Sequence, residues 1–366
     1  GLYGDSYGHF AELVFAKLRF LNHKPADPAL LTFNQRIMWV PALHSATMGL
    51  TFTLFPAMLL LTLAAVGVFY WQSSGRSYPK LYQLIFFYAA SLLTYCLLVR
   101  FHVFAAVFSA GILGVWVSWA SSRGLMARLC VAVPLALGLA VEARNVTTDP
   151  LRWGRPGIYY EEQEDLVQWL KDKAAPSAVL ANFGVSASIL AYAQCPIILH
   201  PKFESPEIRR RVREYGELLF KGTEKSFRDW ADEHGALYYV YALGEFSNQD
   251  PGRQMRYFVD ALEPPAKAPA RLFEFGPEKG RFFKLMWSNK KYRVFKILTR
   301  ADEQAAEVHA RRAEKTLQEG SLNEAEEWAV AALKFDGGNL RALEVLRHVG
   351  SLKDQGFMGQ QDATGR

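Results

Sequence analysis

The sequence predicts a polytopic α-helical membrane part of four spans, followed by a small α/β extracytoplasmic domain and a helical hairpin. Three observations carry that expectation. Residues 46–143 are dominated by apolar and aromatic side chains, whereas residues 144–366 hold most of the charge. The charged half alternates short apolar runs with amphipathic stretches, the pattern of strands and helices in turn. Residues 301–350 then place small and apolar residues at helical spacing on either side of Gly320.

Ala46–Trp71 runs for 26 residues without a charge, enough to cross a hydrocarbon core of roughly 30 Å. Leu81–Val99 gives 19 more, and Phe101–Ser122 gives 22 with His102 as the sole ionisable group. The fourth segment, Leu125–Ala143, is weaker, because Arg128 and Glu142 must lie at the interfaces. A buried core helix is the competing reading of that segment.

Charge in the connections orients the bundle. Arg76 and Lys80 lie between the first two segments, and Arg123 and Arg128 between the last two. The positive-inside rule puts both connections in the cytoplasm, so residues 1–45, the turn at Arg100–His102 and everything after Arg144 face outward. In a bacterium this is an inner-membrane protein with a periplasmic C-terminal domain. The turn "LLVRFHVF" is almost too short to be a loop, and it holds Arg100 and His102 at the membrane surface. A guanidinium there can grip a phosphate through paired hydrogen bonds, or it can anchor the helix among lipid headgroups.

Residues 1–45 form an outward loop that opens with an amphipathic helix carrying Phe10, Leu13, Val14 and Leu18, ended by Pro25 and Pro28. Asp5 and His9, four apart, can share a face, or Asp5 can cap the helix. With His44 they are the candidate polar groups near an outward active site. The start has neither an initiator methionine nor a signal peptide, as in the C-terminal part of a longer protein.

Residues 144–300 read as the α/β domain, with a mainly parallel sheet. "YYEEQEDLVQWLKDKAAPS" is a helix, "AVLAN" a strand running to Gly184, and "CPIILHP" a second strand stopped by Pro201. Ser205, Pro206 and Glu207 open the next helix as N-cap, first helical residue and first-turn acid. A helix around "EKSFRDWADEHG" and the strand "ALYYVYA" follow, and "KKYRVFKIL" is the last strand, at the sheet edge. There is no G-x-S-x-G elbow, P-loop or G-x-G-x-x-G in this layer.

The formal charge of +6 includes no block of five or six like charges, so Arg209, Arg210, Arg211 and Arg213 read as a solvated helix face rather than a nucleic-acid surface. Cys96, Cys130 and Cys195 supply no disulfide framework and no metal-ligand spacing. Residues 301–350, with Ala313, Leu317, Gly320, Ala325, Ala329, Ala332 and Leu333, resemble a tetratricopeptide (TPR) repeat, which lends itself to docking a protein partner. The tail 351–366 is predicted to be disordered.

The order of Pro-rich loop, spans and outward α/β domain resembles the C-terminal half of a GT-C glycosyltransferase. The likeness is to tryptophan C-mannosyltransferases and, more distantly, to oligosaccharyltransferase catalytic subunits. The former carry a D-D-x-H segment with a lysine eight residues on; here Asp5 precedes His9, and Lys17 follows at that interval. Their "HPHYED…LR…Y" stretch is similar to His200, Pro201, Phe203, Glu204, Ser205, Arg209 and Tyr215, and "LYYVY" to the strand that follows. The resemblance implies a polyprenyl-phosphate-linked sugar as donor, a lipid phosphate held by Arg100 with His102, and an outward acceptor, protein or glycan. It makes His200, Pro201, Glu204 and Arg209 family markers. The acceptor-peptide motif "WWDYG" and the loop glutamate of oligosaccharyltransferases are absent, which argues against asparagine-linked transfer. The catalytic carboxylate of the class belongs to an N-terminal half that the chain does not contain. A divalent metal fits the class, but the sequence offers no ligand cluster for one.

Two functions therefore stand: an inverting membrane glycosyltransferase, and a non-enzymatic membrane scaffold recruiting envelope partners through the TPR-like tail. A transporter ranks below both, because the spans lack ionisable groups at mid-membrane.

Overall fold

The computed structural model describes residues 4–39, 43–72, 79–148, 159–248 and 254–363. The chain forms two compact units, Gly1–Ile158 with Asp250–Arg253, and Tyr159–Gln249 with Gln254–Arg366.

In the first unit, α1 (Gly4–Arg19) is the amphipathic helix, with Leu13 fully buried. It stops short of the prolines. Leu21 and Asn22 adopt left-handed backbone (φ 48° and 63°), and the Asn22 N–H returns to the Lys17 carbonyl at 2.6 Å. Asparagine tolerates this conformation, so it ends the helix before Pro25 is reached. A capping box between Thr32 and Gln35 then starts α2 (Phe33–Ile37).

The segment expected as one span is two helices. α3 (Met48–Leu54) and α4 (Met58–Gln72) meet at 85° across a break that contains Pro56. A break in apolar surroundings must have its freed backbone groups satisfied. The end of α7 (Leu125–Thr148) does this. Glu142 Oε1 accepts from the Ala57 and Met58 N–H groups at 3.1 and 3.0 Å, and Asn145 donates to the Thr53 carbonyl at 2.6 Å. Glu142 is therefore a helix N-terminal cap, where negative charge is favoured, rather than a plain interfacial anchor.

α5 (Pro79–Leu97) and α6 (His102–Ser121) complete the bundle. The helix that α6 forms with the preceding turn, α5 and α7 are each long and apolar enough to span; the bent α3–α4 pair makes a fourth when counted as one. Ala65, Phe69, Tyr88, Ile112, Leu113, Trp116 and Val131 make the bundle core. α4 and α7 approach closely at Gly138, where an added Cβ would run into the Leu61 side chain. Small residues at such crossings are the usual means of packing helices in lipid. The chain is an integral membrane protein.

The second unit begins with α8 (Tyr160–Lys173), β1 (Val179–Ala181) and α9 (Phe183–Ser188). α10 (Pro206–Lys221) starts as expected, with Ser205 Oγ accepting from the Ile208 N–H. α11 (Glu224–Glu233), β2 (Tyr238–Ala242), α12 (Met255–Phe258), α13 (Pro269–Phe275), β3 (Phe283–Ser288) and β4 (Tyr292–Ile297) follow.

The sheet order is β1-β2-β4-β3, and only β1 and β2 run parallel, so the sheet is mixed rather than mainly parallel. "CPIILHP" contributes a single parallel bridge, Ile197 to Val179, instead of a strand. Pro196 has no N–H to extend the ladder. β4 is interior, not the edge; β3, which the sequence reading missed, takes the edge. Alternation along the strands separates two cores. Val240 and Val294 face Leu166, Leu170 and Ile189. Tyr239 and Phe295 face Phe227, Phe273 and Phe283.

Three helices close the chain: α14 (Arg300–Gln318), α15 (Leu322–Phe335) and α16 (Leu340–Ala363). Gly320 turns the first pair at φ +85°, a conformation strained for any residue with a Cβ. Their seam is built from fully buried Ala310, Ala313, Ala325, Ala329 and Ala332. Helix α16 enters the stretch 351–366 whose composition predicts disorder; side chains from residue 354 onward lie outside the described part.

Candidate functional site

The turn between α5 and α6 in the first unit brings three of the predicted residues together. α5 ends at Leu97, a 3-10 turn spans Val99–Phe101, and α6 starts at His102. Arg100 sits in that turn with its side chain exposed, and among the described residues no carboxylate pairs with it. His102 is half-buried, its Nδ1 2.9 Å from the Val99 carbonyl. A carbonyl can only accept, so Nδ1 carries the proton and His102 braces the turn. His44 joins them through its backbone, whose carbonyl accepts from the Val99 N–H at 3.1 Å. Asp5 and His9 lie on α1, but their side chains are outside the described part, so their predicted role has no structural account.

Beneath the turn lies a polar knot that the sequence reading touched only at Lys17. The Lys17 ammonium is fully buried and donates to the Leu43 carbonyl at 2.7 Å, Ser45 Oγ at 3.0 Å and the Leu97 carbonyl at 2.6 Å. It also stands over the Trp39 ring. Ser45 accepts from Trp39 Nε1 at 3.2 Å and donates to Asn22 Oδ1 at 2.6 Å. Asn22 Nδ2 in turn donates to the Cys96 carbonyl at 2.6 Å. Burial pushes the Lys17 pKa down to about 7, while three oxygens take its three N–H donors. The signal was legible: Lys17 falls four residues after Leu13 and three after Val14, on the apolar face of α1.

The second unit holds the family markers in a turn against α9. Phe203 meets Phe183 edge-on at 4.9 Å, and His200 Nδ1 accepts from the Lys202 N–H at 3.2 Å. Pro201 and Glu204 are exposed. Arg209 is buried and clips the turn by donating to the Phe203 and Glu204 carbonyls at 2.6 and 3.0 Å, which corrects its placement on a solvated face. Arg210, Arg211 and Arg213 do form that face, paired with Glu207, Glu214 and Glu217. His200, Pro201, Glu204 and Arg209 thus belong to a different unit from Arg100.

A second polar group stands at the carboxyl ends of the parallel strands, where α/β folds place their crevices. Asn182, just after β1, caps α9 and donates to Glu245 Oε1 at 2.6 Å. Glu245 Oε2 is sealed from solvent without a partner. Burial raises the Glu245 carboxyl to about 7, against the Asn182 hydrogen bond and the nearby Lys291 charge. No motif marked this glutamate; its partner lies 63 residues away.

The sign of the pH effect follows. The folded pKa lies above the ordinary 4.5, so the folded state holds the proton more tightly and stability falls as pH rises from 4.5 to about 7. Glu245→Gln is expected to remove up to about 3 kcal/mol of that loss. Thermal melting should show it raising the midpoint at pH 8 and leaving it nearly unchanged at pH 4.5.

Among the described residues no three His, Cys, Asp or Glu side chains group as metal ligands.

Residues 68–297 match the family described as Dpy19: Q-cell neuroblast polarisation. A 138-residue stretch is 30% identical to the human probable C-mannosyltransferase DPY19L2, covering 37% of this chain and 18% of that protein. The family match takes in the Arg100 turn, the marker turn at 200–209 and all four strands, more than half of the chain. The chain belongs to the Dpy19 family.

Proposed function

We propose that the chain is the C-terminal portion of a membrane glycosyltransferase that moves a sugar from a polyprenyl-phosphate donor to an extracytoplasmic acceptor, a tryptophan side chain of a protein. One observation carries this beyond the family match. Arg100 projects from a turn between two apolar helices, exposed and without a carboxylate partner among the described residues. A cation so placed can meet a lipid-linked phosphate at the membrane edge and stabilise it as negative charge develops on departure. The relative's name, C-mannosyltransferase, supports mannose as the sugar. On this reading the α/β unit is extracytoplasmic and contributes to the acceptor surface. The small-residue stack α14–α16 is then a TPR-like element that docks a protein partner to an enzyme.

Arg100→Ala in the full-length protein is expected to lower transfer at least about a hundredfold, the loss seen when a donor to a developing anion is removed. Insertion and expression should be unchanged. Arg100→Lys, which keeps the charge but not the two-pronged geometry, should fall between. Normal turnover by Arg100→Ala would take the phosphate role from this residue.

A further inference from the structure

We propose that Lys17 is a positioning residue for Arg100, holding the loop 43–46 to the end of α5 so that the guanidinium stands at a set height on the membrane edge. The inference rests on the phosphate reading of Arg100 given above. Its support is the geometry of the knot. The three acceptors of Lys17 come from two segments that are distant in sequence: Leu43 and Ser45 from the loop, and Leu97 from the last turn of α5. The loop then returns to the same helix end twice, through the Ala46 N–H to the Cys96 carbonyl at 3.2 Å and the Val99 N–H to the His44 carbonyl at 3.1 Å. Val99 immediately precedes Arg100.

Among the described residues no ion pair sets the place of the exposed guanidinium, so its position is inherited from this backbone. An ammonium suits the task. Its three donors radiate from a single nitrogen, on which acceptors from two segments can converge, whereas a guanidinium spreads its donors along a planar fork. Its charge also sits at a helix C-terminus, where the carbonyls favour a cation. Asn22 repeats the arrangement one carbonyl earlier, joining Cys96 to Ser45.

A double-mutant cycle tests the assignment. The full-length protein in liposomes is assayed with a polyprenyl-phosphate sugar and a tryptophan-containing peptide. Lys17→Met is expected to lower the turnover number at least about tenfold, with the acceptor KM unchanged. In the Arg100→Lys background the same change should cost less than about twofold, because the two-pronged contact it positions is already gone. Equal losses in both backgrounds would make Lys17 a structural residue independent of Arg100 and overturn the proposal; so would full turnover by Lys17→Met. Full turnover by Arg100→Ala would instead remove the phosphate reading, and the proposal with it. Should Lys17→Met fail to insert, Asn22→Gly, which keeps the left-handed backbone and removes the side-chain bonds to the Cys96 carbonyl and Ser45, is run through the same cycle with the same expected and overturning outcomes.

Discussion

Tyr239→Ala is expected to unfold the α/β unit near physiological temperature, at a cost of about 3–5 kcal/mol. Tyr239 is fully buried on β2, and its ring lies 5.0 Å from that of Phe273, 5.1 Å from Phe227, 5.8 Å from Phe283 and 6.1 Å from Phe295. These rings come from four other elements, so they cannot all collapse into the space vacated. The cavity remains, and its cost adds to the lost transfer free energy of the ring. Domain stabilities of about 5–15 kcal/mol leave little margin for such a loss. Tyr239→Phe separates the ring from its hydroxyl, which lies 3.3 Å from that of Tyr215. That change should cost only about 1 kcal/mol. Calorimetry of the detergent-solubilised chain would follow both; a midpoint for Tyr239→Ala within a few degrees of wild type would contradict the packing argument.

Arg228→Met comes next in size, at about 3 kcal/mol. The guanidinium is 1% exposed and joins three elements: Nε to Asp229 at 2.8 Å on α11, one terminal nitrogen to the Leu298 carbonyl at 2.9 Å after β4, and the other to Glu303 at 2.6 Å on α14. Its face covers the Phe282 ring at 4.4 Å. Removing one partner of a buried pair costs about 3–5 kcal/mol, because the remaining charge stays unpaired. Asp229 and Glu303 keep some contact with water and a second cation each, Arg300 at 3.5 Å and Arg281 at 4.0 Å, so the lower end applies. The variant should also loosen α14–α16 from the sheet, and proteolytic cleavage near residue 299 would report this. Arg228→Lys should rescue only part of the loss, since an ammonium cannot reach three acceptors set around a planar fork.

The sequence by itself determined the elements whose signal is local. Apolar runs long enough to cross a bilayer mark α5 and α6, because no soluble core needs so many uncharged residues in a row, whereas the run of α7 is bounded by Arg128 and Glu142 and is marked less strongly. Ser205 and Pro206 mark the start of α10 through the cap they form with their own helix, and Gly320 marks the turn between α14 and α15 through its left-handed backbone. The residues of the Arg100 turn were also legible, since two long apolar runs separated by one arginine leave it nowhere but the membrane surface.

Only the tertiary structure decided the rest, because each remaining feature depends on a partner remote in the chain. The break between α3 and α4 is held by Glu142 and Asn145, more than 80 residues on. Arg209 shares a helix with solvated arginines, yet it is buried because the Phe203–Glu204 turn folds back over it. Glu245 meets Asn182 only once β1 and β2 pair. Lys17 lies on the apolar face of α1, but its acceptors arrive only when the loop 43–46 and the end of α5 close around it. A buried charge or a broken helix is tolerable only when distant groups supply its hydrogen bonds, and no window of sequence contains those groups.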